Sequence, residues 1–230
     1  MKKYVVIVAG GSGTRMGKEL PKQFLELEGK PVLLHTIDVF LDTYEDIHAI
    51  VVLPESFLEE GRRLIDTLKD AHRIQVVSGG QTRFHSVQNG LKKTKSPSII
   101  FIHDGVRCLV SQKLINACYQ QALEKGNAIP AVSITDSVRI QTATGTKPVD
   151  RNLLWAIQTP QTFKSEILLP AFEQAYNENF TDEATVIESA GHPVYLIEGE
   201  KENIKLTLPP DLIIAAHFLQ NRSRKNQTEK

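Results

Sequence analysis

Strand-length runs of apolar, β-branched residues alternate with segments of helical period over the first 130 residues. The runs that predict strands are residues 4–9, 48–53, 74–78, 98–103 and 127–132, and the helical patterns between them cover 31–41, 57–68, 83–92 and 113–124. Apolar runs without polar alternation are typical of parallel strands that are covered on both faces. The pattern therefore predicts an α/β fold with a doubly wound, mostly parallel sheet of the Rossmann-like kind.

The alternation of strands and helices stops after residue 132, and a hairpin follows. Residues 138–141 alternate in polarity with a period of two, a turn cluster occupies 143–146, and residues 147–151 lead back. This predicts a protruding β-hairpin arm at about residues 133–155. Since an isolated hairpin is marginally stable in water, the arm needs support from the main sheet or from a second copy of the protein.

The rest of the chain contains neither a linker nor an internal repeat, so residues 1–230 are expected to form a single domain. Helices are predicted at 164–177, 181–190 and 209–220, strands at 194–197 and 204–207, and a disordered tail at 221–230. Two helix starts carry capping signals. Ser56 and Glu59 have the spacing of a capping box, and Thr181 is the expected N-cap of the helix that follows it.

The charge balance limits the classes of partner. The 27 Lys and Arg residues balance 27 Asp and Glu residues, whereas a protein that coats nucleic acid or an anionic membrane needs a large cationic surplus. No apolar stretch approaches the ~20 residues that cross a bilayer, and the apolar run near the N-terminus is too short for a signal sequence. Cys108 and Cys118 form no CxxC pair and are expected to be buried thiols. We therefore expect a cytoplasmic protein that acts on small molecules, with neither nucleic acid nor a membrane as partner.

The strongest chemical signal is the glycine-rich stretch 9–17, which follows the first predicted strand. Ligands of open parallel sheets bind beyond the carboxyl ends of the strands, and glycines let backbone amides approach a phosphate. A dinucleotide fingerprint would need glycine where Met16 stands, and a Walker loop would need glycine where Ser12 stands. Residues 1–30 hold six basic and three acidic side chains. The loop therefore predicts a cationic phosphate site of another kind.

Two cations of this region, Arg15 and Lys22, suit attack on the α-phosphorus of a nucleoside triphosphate. The reaction concentrates negative charge on the equatorial oxygens and the departing pyrophosphate, so positioned cations supply most of the catalysis. An attacking phosphate monoester is already an anion and needs no general base. The sequence agrees, because it offers no Ser-His or His-Asp constellation.

Two further motifs follow later strands. Gly79 and Gly80 form a turn that opens a helix with Arg83 in its first turn, at the same edge of the sheet as the first loop. Asp104 ends the fourth predicted strand. A carboxylate at that position is well placed to hold Mg²⁺, which binds through one or two carboxylates together with substrate phosphates.

Residues 9–23 resemble the opening signature of the sugar-phosphate nucleotidyltransferases. The order of the later motifs narrows the resemblance, over residues 4–219, to the 2-C-methyl-D-erythritol 4-phosphate cytidylyltransferase family. It implies transfer of CMP from CTP to that sugar-alcohol phosphate, with release of pyrophosphate, in non-mevalonate isoprenoid biosynthesis. It also implies Mg²⁺ or another divalent cation at Asp104, and a homodimer in which the arm crosses to the other subunit.

The resemblance also implies roles for individual residues. Those implied in catalysis are Arg15 and Lys22. Those implied in nucleotide binding are Ala9, Gly10, Gly11, Gly13, Gly79, Gly80, Arg83 and Ser86. Those implied in substrate binding are Asp104, Arg107, Ser137, Arg151, Thr159, Thr181 and Lys205. The chain departs from the usual family pattern at Gly105, Val106, Cys108 and Ser137, where Ala, Ala, Pro and Thr are more common.

Three alternatives stay open at the level of sequence. A cytidylyltransferase for ribitol 5-phosphate or another polyol phosphate would share nearly every motif, although Glu183 after Asp182 favours the methylerythritol branch. An inactive nucleotide-binding regulatory module would keep the same loops. An NAD-dependent oxidoreductase is disfavoured by Met16 in the dinucleotide fingerprint.

Overall fold

The computed structural model describes residues 1–10 and 21–228. Its strands are β1 (Lys2–Val8), β2 (Glu26–Leu27), β3 (Lys30–Pro31), β4 (Ile47–Leu53), β5 (Ile74–Ser78), β6 (Ser98–Asp104), β7 (Asn127–Ser133), β8 (Val138–Thr142), β9 (Gly145–Val149), β10 (Trp155–Ile157), β11 (Gln161–Lys164) and β12 (Leu196–Glu198). Its helices are α1 (Val32–Thr43), α2 (Leu58–Asp66), α3 (Arg83–Leu91), α4 (Gln112–Lys125), α5 (Ser165–Ala171), α6 (Glu183–Ser189) and α7 (Pro209–Thr228). The strands and helices predicted for the first 130 residues are all present, with ends displaced by at most two residues.

The central sheet has the strand order β7-β11-β6-β1-β4-β5, and both β10 and β12 also pair with β7. Its middle strands are parallel, with Val6 of β1 opposite Ile50 of β4 and Ile102 of β6. Strand β11 runs antiparallel to both of its neighbours. The mostly parallel, Rossmann-like sheet is thus confirmed, and β10 and β11 are strands that the sequence analysis does not predict.

Helices cover both faces of the sheet, because successive residues of each central strand point to opposite sides. Val5 of β1 packs in one apolar layer and Val6 in the other. The first layer includes Leu33, Ile37 and Phe40 of α1 with Leu114 and Ile115 of α4, and the second includes Phe84 and Val87 of α3, Leu168 of α5 and Ile187 of α6. Each such side chain, when fully buried, stabilises the fold by ~1.5–3 kcal/mol. With both faces covered, the edges of the sheet are the places left for ligands.

The predicted arm is present as the hairpin of β8 and β9, with Val138 opposite Val149. The strands on either side of the arm, β7 and β10, also pair antiparallel, with Ile157 opposite Ala131. Further along the chain β11 pairs with β7, with Thr162 opposite Ala128. The arm is therefore the tip of a longer antiparallel pair that is anchored in the main sheet.

Both predicted helix caps differ in the structure. Ser56 lies inside a short 3₁₀ helix, Glu55–Phe57, so it cannot cap α2, whose N-cap is Phe57 without a side-chain bond. Asp182, and not Thr181, caps α6, because Asp182 Oδ1 accepts the Thr185 backbone N–H at 3.0 Å. In each case the flanking turn displaces the start of the helix by one or two residues.

The C-terminal part differs from prediction in two places. Residues 204–207 form no strand; a backbone bond from Leu206 N to Val106 O at 3.0 Å attaches them to the loop after β6. Helix α7 runs to Thr228, where the sequence analysis expects a disordered tail from residue 221. The helix is anchored at residue 222, since Arg222 Nη2 donates to Leu109 O at 2.8 Å and pairs with Glu202 at 3.0 Å.

The expectation of buried thiols is confirmed. Cys108 and Cys118 are buried and unpaired, and burial raises the pKa of each thiol to about 12. None of the described helices combines the length and apolar character that crossing a bilayer requires.

Candidate active site

The first residues after β1 and the loops after β5 and β6 meet at the carboxyl ends of these strands. Backbone bonds tie each loop to a neighbouring strand: Ala9 N donates to Val52 O at 2.9 Å and Gly79 N to Leu53 O at 2.8 Å. After β6, Gly105 N donates to Val8 O at 2.9 Å. The parallel sheet thereby brings together motifs that lie about 70 and 25 residues apart in sequence.

Ser86 joins the first two loops. Its hydroxyl donates to Thr82 O at 2.9 Å and accepts the Gly80 N–H at 3.1 Å, and a Cβ on Gly10 would stand 3.4 Å from the same oxygen. A Cβ on Gly80 would lie 2.4 Å from the Cβ of His85, so only glycine fits there. Gly10, Gly80 and Ser86 are therefore held in one packed unit.

Asp104 is the centre of a charged group at the end of β6, and we call this group the Asp104 cluster. Its members are Asp104, Glu183, Arg83, Arg107 and Lys205. Asp104 Oδ1 lies 3.3 Å from Arg83 Nη2, and Oδ2 lies 2.8 Å from Lys205 Nζ and 3.6 Å from Arg107 Nε. Burial by itself raises the pKa of Asp104, but the cations, Arg83 foremost, outweigh it and hold that pKa well below its usual range.

Glu183 is the second carboxylate of the cluster, and the sequence analysis assigns it no site role. It is 1% exposed and makes a bidentate ion pair with Arg83, whose Nη2 lies 3.1 Å from Oε2. Burial raises the pKa of Glu183, and the Arg83 charge opposes the rise. In the sequence, Glu183 stands in the first turn of a predicted helix, where the helix dipole alone accounts for an acidic residue.

His103, next to Asp104, is fully buried and links two backbone segments. Its Nε2 lies 3.1 Å from Arg107 O, which can only accept, so Nε2 carries the proton and Nδ1 accepts from the Thr159 hydroxyl at 3.0 Å. Thr159 Oγ1 in turn accepts the Asp104 backbone N–H at 3.1 Å. Burial lowers the pKa of His103 to about 4, in agreement with a neutral ring. Thr159, a predicted substrate residue, thus uses its hydroxyl inside the protein to hold the end of β6.

The segment that carries Lys205 is bound to the same end of the sheet. Asn203 is buried, its side chain donates to Thr159 O at 2.8 Å, and its carbonyl accepts from Arg107 Nη1 at 2.7 Å. Asn203 therefore ties the segment before Lys205 to Arg107, and both cations pair with Oδ2 of Asp104. The sequence predicts a strand at Lys205, but the structure has a loop there. This loop still brings the Lys205 amine to the cluster.

Lys22 joins this segment to the first loop. It begins the 3₁₀ helix Lys22–Phe24, and its Nζ donates to Thr207 O at 2.8 Å, two residues beyond Lys205. The neighbouring Gln23 is buried and donates from Nε2 to Ala9 O at 2.7 Å. The predicted residues Gly11, Gly13 and Arg15 lie outside the described residues.

Three predicted substrate residues stand apart from the Asp104 cluster. Ser137 and Arg151 are exposed at the base of the arm, where Arg151 Nη1 donates to Thr135 O at 2.6 Å. Thr181 is exposed just before the cap of α6. Within residues 1–10 and 21–228, no hydrogen bond or ion pair joins any of the three to the cluster. A role for the arm residues in this chain's own site is therefore not supported by contacts.

The cluster holds one positive charge in excess, since three cations face two carboxylates. Such an arrangement suits polyanionic ligands such as phosphate esters. Among the described residues, no group of three His, Cys, Asp or Glu side chains could hold a metal by itself. Mg²⁺ is commonly bound by one carboxylate together with substrate phosphates, and Asp104 could serve as that carboxylate. The Lys205 amine would then have to move from Asp104 Oδ2 to a phosphate.

Comparison with known proteins agrees over nearly the full chain. The model of the IspD family, 2-C-methyl-D-erythritol 4-phosphate cytidylyltransferase, matches residues 3–221. Enzymes of that name from Phocaeicola vulgatus and Porphyromonas gingivalis are 45% and 46% identical, over 94% and 95% of this chain and 98% of each relative. The crystal structure of 4-diphosphocytidyl-2C-methyl-D-erythritol synthase from Anaerococcus prevotii superposes with a TM-score of 0.82 at 26% identity, over 95% of this chain and 96% of that one. The chain belongs to the 2-C-methyl-D-erythritol 4-phosphate cytidylyltransferase family.

Proposed function

We propose that this protein transfers the CMP group of CTP to 2-C-methyl-D-erythritol 4-phosphate and releases pyrophosphate. The observation that carries the proposal is the Asp104 cluster, which joins the end of β6 to the start of α3, just after the glycine turn at residues 79–80, in a chain that matches this family over residues 3–221. A cationic cluster beside a glycine turn suits two phosphate-bearing substrates, which is what the reaction requires.

The chemical step needs positioned cations more than a base. A phosphate oxygen of the sugar-alcohol phosphate attacks the α-phosphorus of CTP; the new P–O bond forms as the bond to pyrophosphate breaks, and the pyrophosphate leaves with its electron pair. Arg15 and Lys22 stabilise the charge on the pentacoordinate phosphorus and on the leaving group. Arg107 and Lys205 hold the attacking phosphate. The buried, neutral His103 does not face the reacting groups and is not needed as a base.

Mg²⁺ or another divalent cation is part of the proposal, with Asp104 as its protein ligand. When bound, the ion would neutralise phosphate charge and withdraw electrons from the reacting phosphorus. The residues themselves fix the carboxylate in place, since Arg83 holds Oδ1 and the Thr159 hydroxyl holds the Asp104 backbone N–H.

A homodimer, with the arm of each subunit completing the site of the other, is proposed as well. It is supported by the exposed apolar side chains near the arm, among them Leu153 at 78% and Trp155 at 49% exposure, which association would cover. It also gives a purpose to Ser137 and Arg151, which stand apart from the cluster of their own chain. A cytoplasmic location stays a prediction.

One assay tests the chemistry. Pyrophosphate release is measured with CTP, UTP, ATP and GTP, each with 2-C-methyl-D-erythritol 4-phosphate and with ribitol 5-phosphate. We expect release with CTP and the methylerythritol phosphate. Faster release with ribitol 5-phosphate would identify that compound as the substrate instead. No release with any pair would support the alternative of an inactive nucleotide-binding module.

A mixing experiment tests the shared site. Arg151→Ala and Lys22→Ala subunits, each inactive alone, are unfolded together and refolded in equal amounts. If the arm serves the partner, one site of each mixed dimer holds both native residues, and about a quarter of wild-type activity returns. No recovery would mean that each arm serves its own chain or none.

A further inference from the structure

Glu183 is a buried charge in a position that its helix alone does not explain. It follows the capping residue of α6, and at 1% exposure its carboxylate has no access to water. An isolated carboxylate in such a place is very unfavourable, so it must be paired. Its partner is Arg83, 100 residues earlier in the chain, at the start of α3.

Arg83 connects the two carboxylates of the Asp104 cluster. Nη1 and Nη2 both bond to Glu183, and Nη2 also lies 3.3 Å from Asp104 Oδ1. Since the guanidinium is planar and rigid, the bidentate contact with Glu183 fixes the direction in which the remaining N–H meets Asp104. The orientation of the Asp104 carboxylate therefore depends on Glu183 through Arg83.

The start of α6, which carries Glu183, is held in place by Gln161. Gln161 of β11 accepts the Ala184 N–H on Oε1 at 2.8 Å and donates from Nε2 to Asp182 Oδ2 at 2.9 Å. Gln161 lies opposite Ile102 of β6, two residues before Asp104. The start of α6 is thus bound to the strand next to the one that carries Asp104.

We propose that Glu183 is a positioning residue, which acts on the reaction through Arg83 and does not touch the substrates. It neutralises Arg83 and holds it at Asp104 Oδ1, so that Oδ2 stays directed to Lys205. This inference rests on the proposed function. Without the Glu183 charge, Arg83 can rotate into a bidentate ion pair with Asp104, which would turn the Asp104 carboxylate away from the substrates. The cluster would also gain one positive charge.

A double-mutant cycle tests the proposal with Glu183→Gln, Arg83→Gln and the double variant, in the pyrophosphate assay. We expect Glu183→Gln to lower kcat/KM by about 10- to 100-fold, the range for small displacements of a catalytic group. In the Arg83→Gln background the same change should cost less than about threefold, because its intermediary is gone. Equal fold losses in both backgrounds, or activity within threefold of wild type for Glu183→Gln, would overturn the proposal.

Thermal unfolding of the same four proteins gives a readout that does not need activity. Arg83→Gln leaves the buried Glu183 carboxylate without its ion-pair partner, which is destabilising. The double variant should therefore melt at a higher temperature than Arg83→Gln alone. A further decrease on adding the second change would overturn the coupling. Glu188→Gln, an exposed Glu on the same helix, is the matched control and should change neither readout. If the wild type releases no pyrophosphate, the proposed function fails, while the thermal cycle still decides whether the pair is coupled.

Discussion

Replacing Lys205 by Met should remove transition-state stabilisation while leaving stability nearly intact. The amine lies 2.8 Å from Asp104 Oδ2, and its side chain is 45% exposed. A unit charge ~4 Å from a phosphate oxygen contributes ~1 kcal/mol in bulk water and ~4 kcal/mol at an effective dielectric of 20. A half-exposed lysine lies between these limits. We therefore expect a loss of about 2–3 kcal/mol, or ~30- to 150-fold in kcat/KM.

The stability of Lys205→Met should change far less, because Arg83 and Arg107 still pair with the buried Asp104. An ion pair with a half-exposed lysine contributes about 0–1 kcal/mol to the free energy of unfolding. The assays are steady-state pyrophosphate release and urea unfolding, with Lys201→Met, an exposed lysine of the same segment, as the control. The reasoning is refuted if kcat/KM stays within threefold of wild type, or if the two Met variants lose activity equally.

Three other changes have expected outcomes. Lys22→Ala should lose at least ~3 kcal/mol of transition-state stabilisation with the fold intact, and turnover within tenfold of wild type would contradict its assignment. His103 has a pKa of about 4 in the folded protein against 6.5 when exposed, so protons bind the unfolded chain first and stability falls as pH drops from about 6.5 to about 4. Between pH 7.5 and 5, urea unfolding of the wild type should lose ~2 kcal/mol more than that of His103→Asn, and parallel curves would speak against a buried neutral ring. Thr159→Val should cost ~1–3 kcal/mol in unfolding free energy, because the Asp104 N–H and His103 Nδ1 lose their partner, whereas Thr159→Ser should not.

The parallel half of the fold follows from local pattern. Continuous apolar runs such as residues 98–103 are long enough, and bounded clearly enough, to define strands. Because these runs are apolar on both sides, helices must cover both faces of the sheet. The site motifs were predictable for the same reason. Residues such as Gly80 and Asp104 directly follow predicted strands, and parallel strands place their carboxyl ends at one edge.

The parts that escaped prediction depend on contacts distant in sequence. Strand β11 has four residues and follows Pro160, so only pairing with β6 and β7 makes it a strand. Residues 204–207 are apolar enough to read as a strand, yet they pack as a loop across the site. Glu183 shows the limit most clearly. Glu183 lies on α6 and its partner Arg83 lies on α3, 100 residues earlier. The sequence around either residue therefore gives no sign of the other.

The paired strands at the root of the arm have a consequence for how such a protein can diversify. Because β7 and β10 are already joined before the hairpin begins, the arm closes a loop whose ends are held in place. Lengthening or shortening such a tip changes the entropy of loop closure only slightly, by about 0.6 kcal/mol per doubling of its length. Thr159 and Asp104 keep their register whatever the tip contains. The tip of the arm can therefore change in length without disturbing the Asp104 cluster.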